Sequence, residues 1–279
     1  MGRIPKILVA YAKKGGGKSF TTMKMMRETV AGNPAKGVAP RRCLILDVND
    51  EFTDIKPIDI KDIDLFSVHN IIEIRRVRPF LMDEKGKSKR MTLDDIANTL
   101  FYILEHFRNG LFLIEDINRY VSDTMPNDLI GAICTNRHIG VDMVIHYQSI
   151  GRITSKVWQN VNLLRIHKIT DTVARHKKKF EDKYEYLSIA EIIVNRRYDN
   201  GFKRFFLYAD VDEEVLTGGY SEKEFEMAVD DFISIEHKTL VRPLLSAIDE
   251  HGKKKYTPQQ AYQQVRQRLL SYNGNKSNA

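Results

Sequence analysis

Residues 7–22 read ILVAYAKKGGGKSFTT, an apolar run that enters Ala12-Lys13-Lys14-Gly15-Gly16-Gly17-Lys18-Ser19 and leaves through Phe20. Three successive glycines let backbone N–H groups turn toward one centre, Lys18 brings a mobile positive charge, and the Ser19 hydroxyl can ligate a divalent cation. The apolar run predicts a strand, and SFTTMKMMRETVAG predicts a helix opening at Lys18 and stopped by Gly32 and Pro34. A helix N-terminus adds its free N–H groups and dipole to the same centre. The stretch therefore reads as a cradle for nucleotide phosphates. Residues Ala12, Lys13, Lys14, Gly15, Gly16, Gly17, Lys18, Ser19 and Phe20 line it, with Lys18 on the β- and γ-phosphates and Ser19 on Mg²⁺.

The 279 residues are 42% apolar and 29% charged, as in a soluble globular protein. No apolar run reaches the roughly 18–20 residues that a membrane span needs. MGRIPKILVAYA runs straight into the glycine loop without a small-residue cleavage site, so it reads as a strand rather than a leader, and the expected location is the cytoplasm. Cys43 and Cys134 are far apart in apolar segments, which gives neither a disulfide framework nor metal-ligand spacing. Both are expected in the core.

Forty-four Lys and Arg against 37 Asp and Glu leave a formal charge of +7, which favours a polyanionic partner. The basic residues gather at Arg75, Arg76, Arg78, Lys85, Lys87, Lys89 and Arg90, again at Arg175 to Lys179, and at Lys253 to Lys255.

Strand-like runs near 5–11, 42–47, 111–116, 141–147 and 161–167 alternate with helical patterns near 92–108, with Thr92 as N-cap, and near 127–138. That alternation predicts an α/β fold with a mostly parallel central sheet flanked by helices. Segment 53–90 is poorly periodic and reads as an insertion, with a strand at Ile71–Val77 before the loop DEKGKSKR. A helix is expected near 171–182. Two β-rich runs around Asp199-Asn200-Gly201 predict a hairpin near 190–209, because Asn-Gly suits a tight turn. Beyond Gly218-Gly219 come helical stretches near 221–233, 238–249 and 257–272. The expected organisation is a nucleotide-binding domain over 1–217 and a small helical C-terminal appendage over 218–279.

A nucleotide hydrolase also needs acids at the end of a second strand, to hold the metal through water and to polarise the attacking water. Leu111-Phe112-Leu113-Ile114-Glu115-Asp116 supplies them. Glu115 is expected on the Mg²⁺ side and Asp116 as the base, although the Glu-Asp order and the shorter Asp116 side chain leave that division open.

Asn136 to Lys168, NRHIGVDMVIHYQSIGRITSKVWQNVNLLRIHK, then makes a resemblance specific. With the glycine loop and LILDVNDEF at 44–52, it resembles the FtsK–HerA superfamily of DNA-pumping ATPases, which includes viral genome-packaging ATPases and Zot-like phage assembly proteins. The resemblance covers about residues 4–180. It implies that Gln148 senses the γ-phosphate, that Asn160 belongs to the segment before the last core strand, and that Arg137 is an arginine finger for a neighbouring subunit's nucleotide. Arg152 and Arg119 are the other candidates for that finger. It also implies MgATP, a homo-oligomeric ring, sequence-independent DNA and, for a viral motor, a host-cytoplasmic protein with a procapsid, portal or vertex partner.

The expected activity is ATP hydrolysis coupled to DNA translocation, as in a phage packaging motor. One alternative is a ParA- or MinD-like dimerising switch, because Lys13 stands where those proteins carry a signature Lys, although Lys14 replaces a Gly. Others are a Zot-like assembly or secretion ATPase and a non-hydrolysing adaptor. The basic loop at 85–90 and the residues Arg196, Arg197, Lys203 and Arg204 are expected to grip phosphates without reading bases. Trp158, Phe202, Phe205 and Phe206 read as core.

Overall fold

The computed structural model describes residues 4–69, 71–82, 87–117, 120, 131, 133 and 139–275. The chain divides into two compact units, Met1–Leu163 and Leu164–Ala279.

In the first unit β1 (Ile7–Tyr11), α1 (Lys18–Ala31), β2 (Arg42–Leu46), α2 (Ile63–Val68) and β3 (Ile74–Val77) follow one another. A two-stranded antiparallel hairpin comes next, β4 (Phe80–Met82) with β5 (Ser88–Arg90), followed by α3 (Leu93–His106), β6 (Gly110–Ile114), β7 (Asp142–Tyr147) and α4 (Ser155–Trp158). The large strands lie in the order β1-β7-β6-β2-β3, parallel throughout. Residues of β1, β2, β6 and β7 are buried on both faces, which is why they read as continuous apolar runs rather than alternating ones. The strands expected near 5–11, 42–47, 111–116 and 141–147 are these four.

Thr92 caps α3 as the sequence predicts. Its hydroxyl accepts from the Asp95 N–H at 3.2 Å, and the Asp95 carboxylate accepts from the Thr92 N–H at 2.8 Å, a reciprocal capping box. Ile96, Leu100, Ile103 and Leu104 then fall on one buried face. Thr92→Ala is expected to cost about 1 kcal/mol, read as a lower urea midpoint at unchanged slope.

The insertion expected at 53–90 is better integrated than its weak periodicity suggested. β3 pairs in register with β2, Cys43 opposite Ile74 through Leu46 opposite Val77, so it extends the main sheet. The outer edge of β3 is itself covered: Arg76 N–H donates to the Lys56 carbonyl, and the Arg76 carbonyl accepts from Ile58 N–H. Cys134 and most of the helix expected near 127–138 lie outside the described residues, whereas Cys43 is buried as expected.

The second unit opens with β8 (Leu163–His167), the strand expected near 161–167, and continues through α5 (Tyr184–Asp199), β9 (Phe206–Asp210), β10 (Val215–Gly218), α6 (Glu222–Ile235) and α7 (Pro258–Leu270). β9 lies between β8 and β10. The helix expected near 171–182 is three short helical turns, Val173–His176, Lys177–Phe180 and Glu181–Lys183, broken where Glu181 adopts a positive φ of 31°.

The hairpin expected at 190–209 is corrected. Its first arm is helix α5, because Leu187, Ala190 and Val194 join Tyr186, Ile189 and Ile193 on a buried face at helical spacing, which outweighs the β-propensity of Ile-Ile-Val. Asn200 is the residue that closes this helix, not a hairpin turn. The antiparallel pair comes later, β9 with β10, Asp210 opposite Val215 and Leu207 opposite Gly218. The outer edge of β10 is covered in turn, since Leu216 exchanges backbone bonds with Tyr272 and Gly274 at 2.8 Å each. Residues from 218 onward pack within this unit: α6 lies against α5 and α7.

Candidate nucleotide-binding site

β1 ends in the glycine loop, and α1 begins at Lys18 directly behind it. Gly15 and Gly17 take φ of 76° and 92°, backbone conformations that L-residues rarely adopt, while a Cβ on Gly16 would come within 2.8 Å of Ala12 Cβ. The three glycines therefore shape a tight turn that a side-chain-bearing sequence would not hold. The turn closes with Gly16 N–H on the Lys13 carbonyl at 3.0 Å, and Ala12 N–H ties the loop to the Tyr147 carbonyl at the end of β7. Lys18 Nζ lies within this loop, donating to the Ala12 carbonyl at 3.2 Å. Below the loop, Thr22 Oγ1 meets His146 Nε2 at 2.8 Å, both fully buried, which pins α1 onto β7.

One strand further, β6 delivers Glu115 and Asp116 at its C-terminal end. Glu115 is 3% exposed, and its Oε1 accepts from the Ser19 hydroxyl at 3.4 Å, so the loop and the acidic strand converge. Its other oxygen, Oε2, is buried and has no hydrogen-bond partner. Burial, reinforced by the nearby Glu51, Asp116 and Asp47 charges, pushes the Glu115 carboxyl up to about 8. A buried acid with an unsatisfied oxygen next to a hydroxyl is a fit for a divalent cation, whose charge offsets both penalties. Among the described residues no group of three or more His, Cys, Asp or Glu could hold a metal by itself. Mg²⁺ would accordingly rely on Ser19, Glu115 through water and the phosphates of its nucleotide.

Asp116 has a φ of 44°, left-handed and uncommon for a residue other than Gly. Gln148, just beyond β7, places Nε2 at 3.4 Å from both Asp116 carboxylate oxygens. The structure thus brings Ser19, Glu115, Asp116 and Gln148 to one end of the sheet.

No protein-family profile matches the chain, and no curated protein sequence matches it. Solved structures do. The genome packaging NTPase B204 from Sulfolobus turreted icosahedral virus 2, in complex with ATP-gammaS, gives a TM-score of 0.52 at 14% identity, over 77% of this chain and 97% of that one. The same NTPase with AMPPCP gives 0.51 at 13% identity, over 76% and 95%. The chain has a P-loop NTPase fold. The N-terminal domain of zonular occludens toxin from Neisseria meningitidis matches at a TM-score of 0.36 and 12% identity, over 61% of this chain and 78% of that one.

Within the P-loop NTPase fold, the strand between the loop strand β1 and the acidic strand β6 is β7, so Gln148 stands between the two halves of the site. Arg137 and Arg119 lie outside the described residues, and Arg152 is exposed in the helical turn Ile150–Arg152. Asn160 faces its own helix, its Nδ2 donating to the Lys156 carbonyl at 2.9 Å.

The basic segments divide sharply. Arg76 is buried and paired with Asp47, so it cannot grip a ligand at the surface. Lys87, Lys89 and Arg90 are exposed on or beside β5, and Lys85 lies outside the described residues. Arg196 and Arg197 sit on α5 rather than on a hairpin, paired with Asp231 and Glu224, and Arg197 lies over the rings of Phe202 and Phe205. Lys203 Nζ donates to the Tyr198 carbonyl at 2.9 Å. That segment is built into the second unit as structure, which weakens its expected role as a phosphate grip. Phe202, expected in the core, is 54% exposed.

One site residue escaped the sequence reading. Asn49, three residues past β2, donates its amide to Asp116 Oδ2 at 3.2 Å. The dense polar run Asp47-Val48-Asn49-Asp50-Glu51 at a strand's C-terminal end was the available signal, since ligands of parallel sheets bind at that end.

Proposed function

We propose that this chain is a Mg²⁺-dependent ATPase that moves nucleic acid, of the viral genome-packaging kind. The observation that carries the chemistry is the convergence of Ser19 with Glu115 and of Gln148 with Asp116 at the mouth of the glycine loop. In this reading the loop N–H groups and Lys18 hold the phosphates, and Ser19 and Glu115 hold the Mg²⁺, which would neutralise phosphate charge when bound. Asp116 accepts a proton from the attacking water, and Gln148 orients that water against the γ-phosphate. Arg137 reaches a neighbouring subunit's nucleotide in a homo-oligomeric ring. The likeness to a genome packaging NTPase bound to ATP analogues supports ATP as the nucleotide and a packaging role.

Nucleic acid is assigned to the basic β4–β5 hairpin, because Lys87, Lys89 and Arg90 are exposed there and the chain carries a net +7. Steady-state ATPase assays with and without DNA test this. DNA is expected to stimulate hydrolysis with little regard to sequence. Replacing Lys87, Lys89 and Arg90 with Glu is expected to cut that stimulation at least fivefold while ATP affinity is kept. The salt dependence of DNA binding is expected to flatten by about 0.9 for each phosphate no longer neutralised. If no DNA or RNA stimulates hydrolysis, the translocase assignment fails. Loss of ATP-dependent dimerisation on mutating Lys13, with Arg137→Ala silent, would favour the ParA-like switch instead.

A further inference from the structure

Phe20 is 60% exposed, in the turn of α1 that also carries Lys18 and Ser19. The sheet does not use it. Thr22 and Met26, one turn apart, are the buried residues of α1, and Thr22 is fixed to His146 of β7. Phe20 stands two residues before Thr22, about 200° around the helix, so its side chain leaves the face turned away from the sheet. The stripe that it opens there continues through Lys24, Arg27 and Glu28, all exposed and charged. A large ring at the head of a charged stripe adds nothing to the core, and it stands at the end of the helix that meets the glycine loop.

The direction of a bound nucleotide follows from the neighbouring side chains. Ser19 donates to Glu115 at 3.4 Å and Gln148 meets Asp116, so the metal and the terminal phosphate belong on the side of the loop that faces β7 and β6. A nucleoside triphosphate runs from that end through its α-phosphate and a single ribose to its base. The base therefore settles within one sugar of the loop, where a flat apolar face would take it out of water. The other rings nearby are committed. Tyr11 enters the loop and Tyr147 is bonded to it through its carbonyl, but both side chains are buried. Tyr120 donates its hydroxyl to the Glu115 carbonyl at 2.8 Å, on the acidic side. Phe20 is the ring that remains turned to solvent.

We infer that Phe20 is the platform on which the base of the nucleotide stacks. This rests on the nucleotide-binding reading above. Stacking reads the face of a base rather than its edge, so the contact tolerates any base while adding affinity for the nucleoside. The glycine loop and Lys18 then hold the triphosphate and Phe20 holds the nucleoside, two contributions that can be measured apart.

Isothermal titration of the full chain with two probes, AMPPCP and inorganic tripolyphosphate, each with Mg²⁺, tests it. Phe20→Ala and Phe20→Leu are each expected to weaken AMPPCP binding about tenfold or more, because Leu keeps the bulk and the helix but not the flat ring. Both variants are expected to bind tripolyphosphate within about twofold of wild type, which also reports that the loop is intact. Phe20→Trp keeps a flat ring and is expected to hold AMPPCP within about threefold of wild type. Equal losses for the two probes overturn the inference, since Phe20 would then shape the loop rather than touch the base. A Phe20→Leu variant that binds AMPPCP as wild type does overturns the stacking. Wild-type protein that binds neither probe overturns the nucleotide reading and, with it, this inference, and that control separates the two failures.

Discussion

Lys18→Ala is expected to lose nucleotide binding, by more than a hundredfold in Kd for an ATP analogue, whereas Asp116→Asn is expected to bind normally and hydrolyse at least tenfold more slowly. The contrast follows from position. Lys18 opens α1 at the glycine loop, where in the proposed mechanism its ammonium adds a charge-assisted contact to the phosphates, and a hundredfold loss corresponds to ~2.7 kcal/mol. Asp116 follows β6, and in the proposed mechanism Asn preserves its shape while removing the base, a loss of ~1.4 kcal/mol or more from the transition state. Asn also accepts the left-handed backbone at 116, so the slow variant remains folded. Isothermal titration with a nonhydrolysable analogue and a phosphate-release assay read the two effects apart. Wild-type turnover by Asp116→Asn would remove Asp116 from the chemistry.

Glu115→Gln is expected to make the metal-free protein more stable while abolishing Mg²⁺-dependent tightening of ATP binding. The Glu115 carboxyl is pushed up to about 8 in the fold from an ordinary value of 4.5, mainly by burial. Between those two values the folded chain keeps a proton that the unfolded chain has released, so stability falls as pH rises through this window and the penalty is complete above it. Gln cannot ionise and escapes the penalty, which is on the order of 5 kcal/mol above pH 8. Urea denaturation in EDTA should therefore show the variant and wild type alike near pH 4.5 and the variant ahead at pH 8.5. Equal stability at pH 8.5 would mean that Glu115 is ionised without cost and is not waiting for a cation.

The glycine loop, its strand and its helix were legible because every part lies within Ile7–Ala31, where a strand period, a glycine run and a helix period follow one another. The acids were legible for the same local reason. The tie between Asn49 and Asp116 was not, since it joins residues 67 apart and exists because β2 and β6 pair in one particular register. The burial that lifts Glu115 likewise comes from the surrounding strands, and no local pattern records it. The misplaced hairpin has a different cause. Ile192, Ile193 and Val194 carry a β-preference that the packing of α5 against α6 overrides, and the Asn-Gly pair then suits the end of a helix as well as a turn.

Each unit sheathes its outermost strand with its own chain, β3 with the segment through Lys56 and Ile58, and β10 with Tyr272 and Gly274. A bare row of amides is the template on which foreign strands add, the first step of runaway aggregation. At β3 and at Leu216 of β10 that template is already taken, so a foreign strand meets there a row of amides bonded to the protein's own chain. Contacts between crowded copies at these two places fall to side chains, whose charges respond to salt, and are reversible rather than permanent.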